Sequence, residues 1–163
     1  MAVEQMEAAR NSYERALQSI EGTEHRRYLE EVYHNLIETT MARGDLAAAE
    51  QFYQDLTPLL KLNPGKTAPR FDFLKGRLLT LADSPDYARA DEFFQKSIHA
   101  DETSGAVVLA ARTQYYRADM LARKGETESG RSLLHEIQQQ FQGWGIPAWQ
   151  LKCEQALQTI SGD

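Results

Sequence analysis

The chain has 163 residues, 42% of them hydrophobic and 26% charged, a balance that suits one folded domain spanning 1–163 and does not indicate a disordered class. Its formal charge of −6 opposes nonspecific nucleic-acid binding, which runs on Lys and Arg replacing phosphate counterions. Apolar runs are too short for a membrane span or a signal-peptide core, and Met1-Ala2-Val3-Glu4 lacks a basic leader, so the expectation is a cytoplasmic protein without membrane contact.

From Glu4 to about Ile20, the apolar spacing Met6, Ala9, Tyr13, Ala16, Leu17 predicts an amphipathic helix that Glu21-Gly22 stops. A second helix over about 24–43 follows a partial Thr23 cap and carries Leu29, Val32, Tyr33, Leu36, Ile37 and Met41 up to Gly44. Asp45 caps a third, over about 46–60, and Asn63-Pro64-Gly65 reads as a turn. The next helix, about 67–82, opens on Pro69, carries Phe71, Leu74, Leu78 and Leu81, and ends in a proline turn at Asp83-Ser84-Pro85. Its partner is expected over about 86–100, with Asp101-Glu102-Thr103-Ser104-Gly105 as linker. Helices over about 106–124, 127–142 and 148–160 complete a set of eight, the last two separated by Gly143-Trp144-Gly145. In the last helix, Trp149, Cys153, Ala156, Leu157 and Ile160 share one face, so the single cysteine reads as a core residue and not as a nucleophile.

A repeat runs through these elements. The small residues Ala9, Ala49, Ala90 and Gly130 lie 40 or 41 positions apart, and Tyr13, Tyr53, Phe94 and Leu134 follow each after four. Seven after each stand Ala16, Leu56, Ser97 and Ile137, so one helical face is reproduced copy by copy. A period of this length predicts helical hairpins stacked one on another. The chain starts in mid-repeat: its first helix occupies the second position of a hairpin, three first–second pairs follow, and a first-position helix ends the series.

Gly44, Ala49, Tyr53 and Pro64 in one copy, Gly76, Ala90 and Phe94 in the next, and Ala118, Gly125, Gly130 and Leu134 in the third resemble the tetratricopeptide repeat. The resemblance covers nearly the whole chain and implies an all-α fold, a right-handed solenoid of antiparallel hairpins with a concave groove lined by first-position helices. The period is longer than the family's usual 34, and the usual Trp-Leu-Gly-Tyr opening is missing. Repeats of this length are similar to the helical sensor regions of large bacterial signalling ATPases, LuxR-type regulators and adenylate cyclases.

For catalysis, metal or nucleotide binding, no constellation is complete. Glu31 and His34 have the spacing of two ligands on one helix face but no second copy, so they read as a solvated pair. His135-Glu136 begins like a zinc-protease motif, yet Gln139 stands where the second His belongs, and no Gly-rich phosphate loop occurs. The expected protein is therefore not an enzyme and needs no metal or cofactor. It is an interaction module for a protein or peptide partner, or alternatively a ligand-sensing regulatory segment of a larger bacterial signalling or transcription-regulatory protein. The groove candidates are Glu31, His34, Asn35 and Glu38, then Arg70, Lys75 and Arg77, then Arg112, Tyr115, Tyr116, Asp119 and Arg123. Singly they read as the wet face of amphipathic helices; together Arg70, Arg77 and Arg112 offer three guanidinium forks suited to peptide carboxylates. The uncovered apolar face of the 4–20 helix predicts weak self-association.

Overall fold

The computed structural model describes residues 26–61 and 68–161, together with residues 8, 11, 12 and 15. Among the described residues every regular element is a helix: α1 (Arg26–Ala42), α2 (Leu46–Lys61), α3 (Ala68–Leu81), α4 (Tyr87–Thr103), α5 (Val107–Arg123), α6 (Thr127–Gly143) and α7 (Pro147–Ser161). Residues 8, 11, 12 and 15 are helical, and the rest of the expected 4–20 helix lies outside the described residues, as do the Asn63-Pro64-Gly65 turn and the apolar face invoked for self-association.

Two boundaries depart from the expectation for identifiable reasons. Helix α4 continues to Thr103, so Asp101-Glu102-Thr103 are not linker; the helix runs on until Gly105, the first residue able to reverse the chain cheaply. Helix α2 passes through Pro58 and on to Lys61. Proline there gives up one N–H, and Thr57 turns its hydroxyl back to the Tyr53 carbonyl at 3.0 Å.

Four of the turns are built alike. Gly44, Gly105, Gly125 and Gly145 have positive φ, the left-handed conformation that a side chain disfavours. At Gly125 (φ 95°) the glycine N–H donates to the Ala122 carbonyl at 3.0 Å and the next N–H, from Glu126, reaches back to Leu121 at 2.9 Å. The same pair recurs at Gly44–Asp45, Gly105–Ala106 and Gly145–Ile146, and this is the Schellman closure of a helix C-terminus. The α3–α4 connection instead bends through Asp83-Ser84-Pro85 without a positive φ, and Asp86 caps α4 by accepting from the Arg89 N–H at 3.1 Å.

Each helix packs along the next, and the first-position helices α1, α3, α5 and α7 also touch in succession, whereas α2, α4 and α6 do not touch each other. The repeated small residues sit where helices approach most closely: Ala49 and Ala90 are fully buried, and a Cβ added to Gly130 would lie 2.8 Å from the Ala118 carbonyl oxygen. Two apolar clusters result. One joins Ile37, Leu56, Leu74 and Phe94 across α1–α4 and reaches Met120; the other gathers Ala118, Leu134, Ile137, Phe141 and Cys153 in α5–α7, and Leu133 packs against both. The buried Cys153 thiol is pushed up to about 11 by burial, aided by Glu154, which agrees with its reading as a core residue.

Candidate binding face

The first-position helices meet around one carboxylate. On α1, His34 and Glu38 are one turn apart, with His34 Nε2 3.3 Å from Glu38 Oε2. Glu38 Oε1 accepts from Arg77 of α3 at 3.2 Å and from Arg112 of α5. Burial by itself would raise this carboxyl, but the hydrogen bond from His34 and the charges of Arg112, His34 and Arg77 override it and hold Glu38 at about 2. Glu38 is therefore an anion at every physiological pH, shared among three neighbours.

Aromatic rings carry the guanidinium groups on their other side. Arg77 lies 4.1 Å over the Tyr116 ring and Arg112 4.9 Å over Phe73. From there a chain of edge-on contacts runs across the face: Phe73 to Tyr116 at 5.2 Å, Tyr116 to Tyr115 at 5.2 Å, and Tyr115 to Trp149 of α7 at 5.5 Å. Burial raises the Tyr115 hydroxyl above its ordinary range, so it remains a neutral hydrogen-bonding group.

Of the sequence candidates, Glu38, His34, Arg77, Arg112, Tyr115 and Tyr116 converge on this network. Arg70 lies apart on Glu31, to which it donates twice at 2.8 and 3.0 Å, and both side chains are about half exposed. Asp119 and Arg123 pair with one another at 2.8 Å. Asn35 donates to the Glu31 carbonyl of its own helix. Lys75 leaves the face altogether, bonding Glu50 of α2 at 2.8 Å and lying 5.0 Å over the Tyr53 ring. The solvated reading of His34 is corrected, since it is 4% exposed; the ring is wedged edge-on against Phe71 and its charge partner shares its helix. The three guanidinium forks are likewise engaged by Glu31 and Glu38 of the chain itself.

Two cavities of about 240 Å³ open beside the network. One lies between α3, α4 and α5 against Arg77, Tyr115, Tyr116, Asp119 and Arg123. The other lies where α1, α3, α4 and α5 meet, against His34, Phe73, Ser97, Asp101 and Arg112. Phe73, Ser97, Asp101 and Trp149 were not among the candidates. Phe73 was legible, standing three residues after Arg70 and four before Arg77 and so on their side of α3. Ser97 also left a mark, as the polar residue at a register position where the neighbouring copies carry Leu56 and Ile137.

Among the described residues no group of three or more His, Cys, Asp or Glu side chains is arranged to hold a metal ion, and no helix is long and apolar enough to cross a membrane. In comparisons with known proteins, no protein-family model and no curated protein matches the chain.

Proposed function

We propose that the chain is a non-catalytic binding module: a single-domain, right-handed, tetratricopeptide-like solenoid of antiparallel hairpins that holds a peptide or partner protein along its first-position helices. The observation that carries this reading is the ring chain Phe73–Tyr116–Tyr115–Trp149 with Arg77 stacked on it. Aromatic rings beside arginine are the residue types in which interface energy concentrates. Mutual contact among α1, α3, α5 and α7, without contact among α2, α4 and α6, supports placing these helices on the inner side of a curved stack. Because Arg77 and Arg112 already share Glu38, their role toward a partner is to stiffen the aromatic platform. A partner offering an apolar or aromatic side chain fits better than one offering only acids.

A peptide display library panned against the chain tests this. Selected peptides should bind at least tenfold more weakly to Tyr116→Ala, a loss of at least about 1.4 kcal/mol. Selection of nothing above background, or binders indifferent to Tyr116→Ala and Tyr115→Ala, would sink the reading.

A second reading, a ligand-sensing regulatory segment of a larger bacterial signalling or transcription-regulatory protein, is favoured by the cavity at the junction of α1, α3, α4 and α5. Pockets that accept drug-sized ligands run to about 300–1,000 Å³, so this cavity suits a smaller metabolite.

A further inference from the structure

The cavity against His34, Phe73, Ser97, Asp101 and Arg112 is lined by one residue that breaks the repeat. Ser97 stands in the register where α2 and α6 carry the fully buried Leu56 and Ile137. Its side chain fills less space than theirs and leaves a hydroxyl, 1% exposed as a residue, with no partner among the described residues. A buried hydroxyl left unpaired costs free energy, as does the space around it, so the position is poorly explained by packing.

Two more groups on the same wall have unused hydrogen-bonding capacity. His34 Nδ1 is buried and unpartnered. His34 Nε2 is held by Glu38, which leaves Nδ1 as the unengaged nitrogen of the ring. Arg112 Nε is also buried and unpartnered, and it can only donate. Asp101 adds a carboxyl, while Phe73 and the half-exposed Leu109 add apolar surface.

A ligand that satisfies this wall must offer an acceptor to Arg112, a donor to Asp101, and an apolar body to Phe73 and Leu109. It must also be close to neutral, because the three cations Arg70, Arg77 and Arg112 are balanced by the three carboxylates Glu31, Glu38 and Asp101. At about 30 Å³ per water, 240 Å³ holds roughly eight waters, or a molecule of similar atom count. We infer that this cavity binds a free amino acid with an aliphatic side chain, its carboxylate at Arg112 and Ser97, its ammonium at Asp101, and its side chain on Phe73 and Leu109. This inference deepens the second reading above by naming the ligand class.

Calorimetric titration of the full chain with L-leucine, 4-methylpentanoate and isoamylamine tests it, the last two being L-leucine without its ammonium and without its carboxylate. L-leucine should saturate the protein at millimolar concentration or below, with each single-ended analogue at least tenfold weaker. Ser97→Ala should weaken L-leucine about fivefold to tenfold, the worth of one hydrogen bond, without lowering the thermal midpoint, since no protein contact of the hydroxyl is lost. Asp101→Asn should weaken it at least tenfold, and Ser97→Leu, which restores the volume seen at Leu56 and Ile137, should abolish it. Binding of 4-methylpentanoate as tight as that of L-leucine, with the same loss in Ser97→Leu, would overturn the amino-acid assignment and leave a sensor of small acids. Saturation by none of the three ligands, or L-leucine binding indifferent to Ser97→Leu and Asp101→Asn, overturns the assignment; if a wider metabolite panel is equally silent, the sensor reading falls with it.

Discussion

Glu38 is the residue on which the face depends, since its one carboxylate bridges two largely buried arginines that would otherwise sit beside each other with no anion between them. Removing one member of a buried pair costs 3–5 kcal/mol, and with the Glu38 side chain 28% exposed we expect Glu38→Gln to cost about 2–3 kcal/mol in urea denaturation at neutral pH. Its folded value of about 2 lies below the ordinary 4.5, so its stabilisation is present above about 4.5 and fades as pH falls toward 2. The gap between wild type and Glu38→Gln should therefore be narrower at about pH 3 than at about pH 7, and an unchanged gap would refute the assignment of the shift. Asp72 has the opposite sign: burial pushes its carboxyl to about 6, with Lys96 offsetting part of the effect, so the ionised form is destabilising. Its contribution is lost as pH rises from the ordinary 3.8 through 6, and Asp72→Asn should stabilise the protein above that range. After allowance for solvent screening the gain is on the order of 1 kcal/mol, and a lower midpoint in the variant at about pH 8 would contradict it. None of this was legible in the sequence. The spacing of Glu31, His34 and Glu38 marks one side of α1, but a linear pattern does not say that α3 and α5 bring their arginines within bonding distance of it, 39 and 74 residues away.

At the scale of the element the sequence was far more telling, because helices are set by local spacing and by the glycines that end them. The register of small residues at Ala49, Ala90 and Gly130 marks the close approaches by spacing alone: all three are buried, and Gly130 faces backbone atoms of α5. Ala49→Leu or Ala90→Leu should cost about 1–3 kcal/mol by overpacking, and Gly130→Ala a similar amount, since the carbonyl of Ala118 cannot yield as a side chain would. Unchanged denaturation midpoints across the set would remove the claim. Where local reasoning failed it was on extent: the run of polar residues Asp101-Glu102-Thr103 reads as a loop, yet the register of α4 carries through it until a residue with left-handed freedom appears. Polarity alone does not stop a helix whose outer side faces water.

Across the whole molecule, the joint between the α1–α2 hairpin and the rest differs from the later joints. Helix α2 meets α3 much more sparsely than α4 meets α5 or α6 meets α7, while among the described residues four ion pairs cross the joint: Glu31–Arg70, Glu50–Lys75, Glu38–Arg77 and Glu38–Arg112. Screening lengths fall from about 10 Å at 0.1 M salt to about 3 Å at 1 M, so salt should loosen this joint selectively. Hydrogen exchange should show protection in α1 and α2 falling with added sodium chloride relative to α5–α7, and a uniform response would count against an electrostatic joint. The four glycine turns lead elsewhere. Each is closed by the same two backbone hydrogen bonds, with the identity of the following residue, Asp45, Ala106, Glu126 or Ile146, left open by that closure. Turns built this way are interchangeable parts: a chimera carrying Lys124-Gly125-Glu126 in place of Ser104-Gly105-Ala106 should fold with an unaltered melting temperature, and the lineage of hairpins could lengthen by duplicating one unit without any new joint being invented.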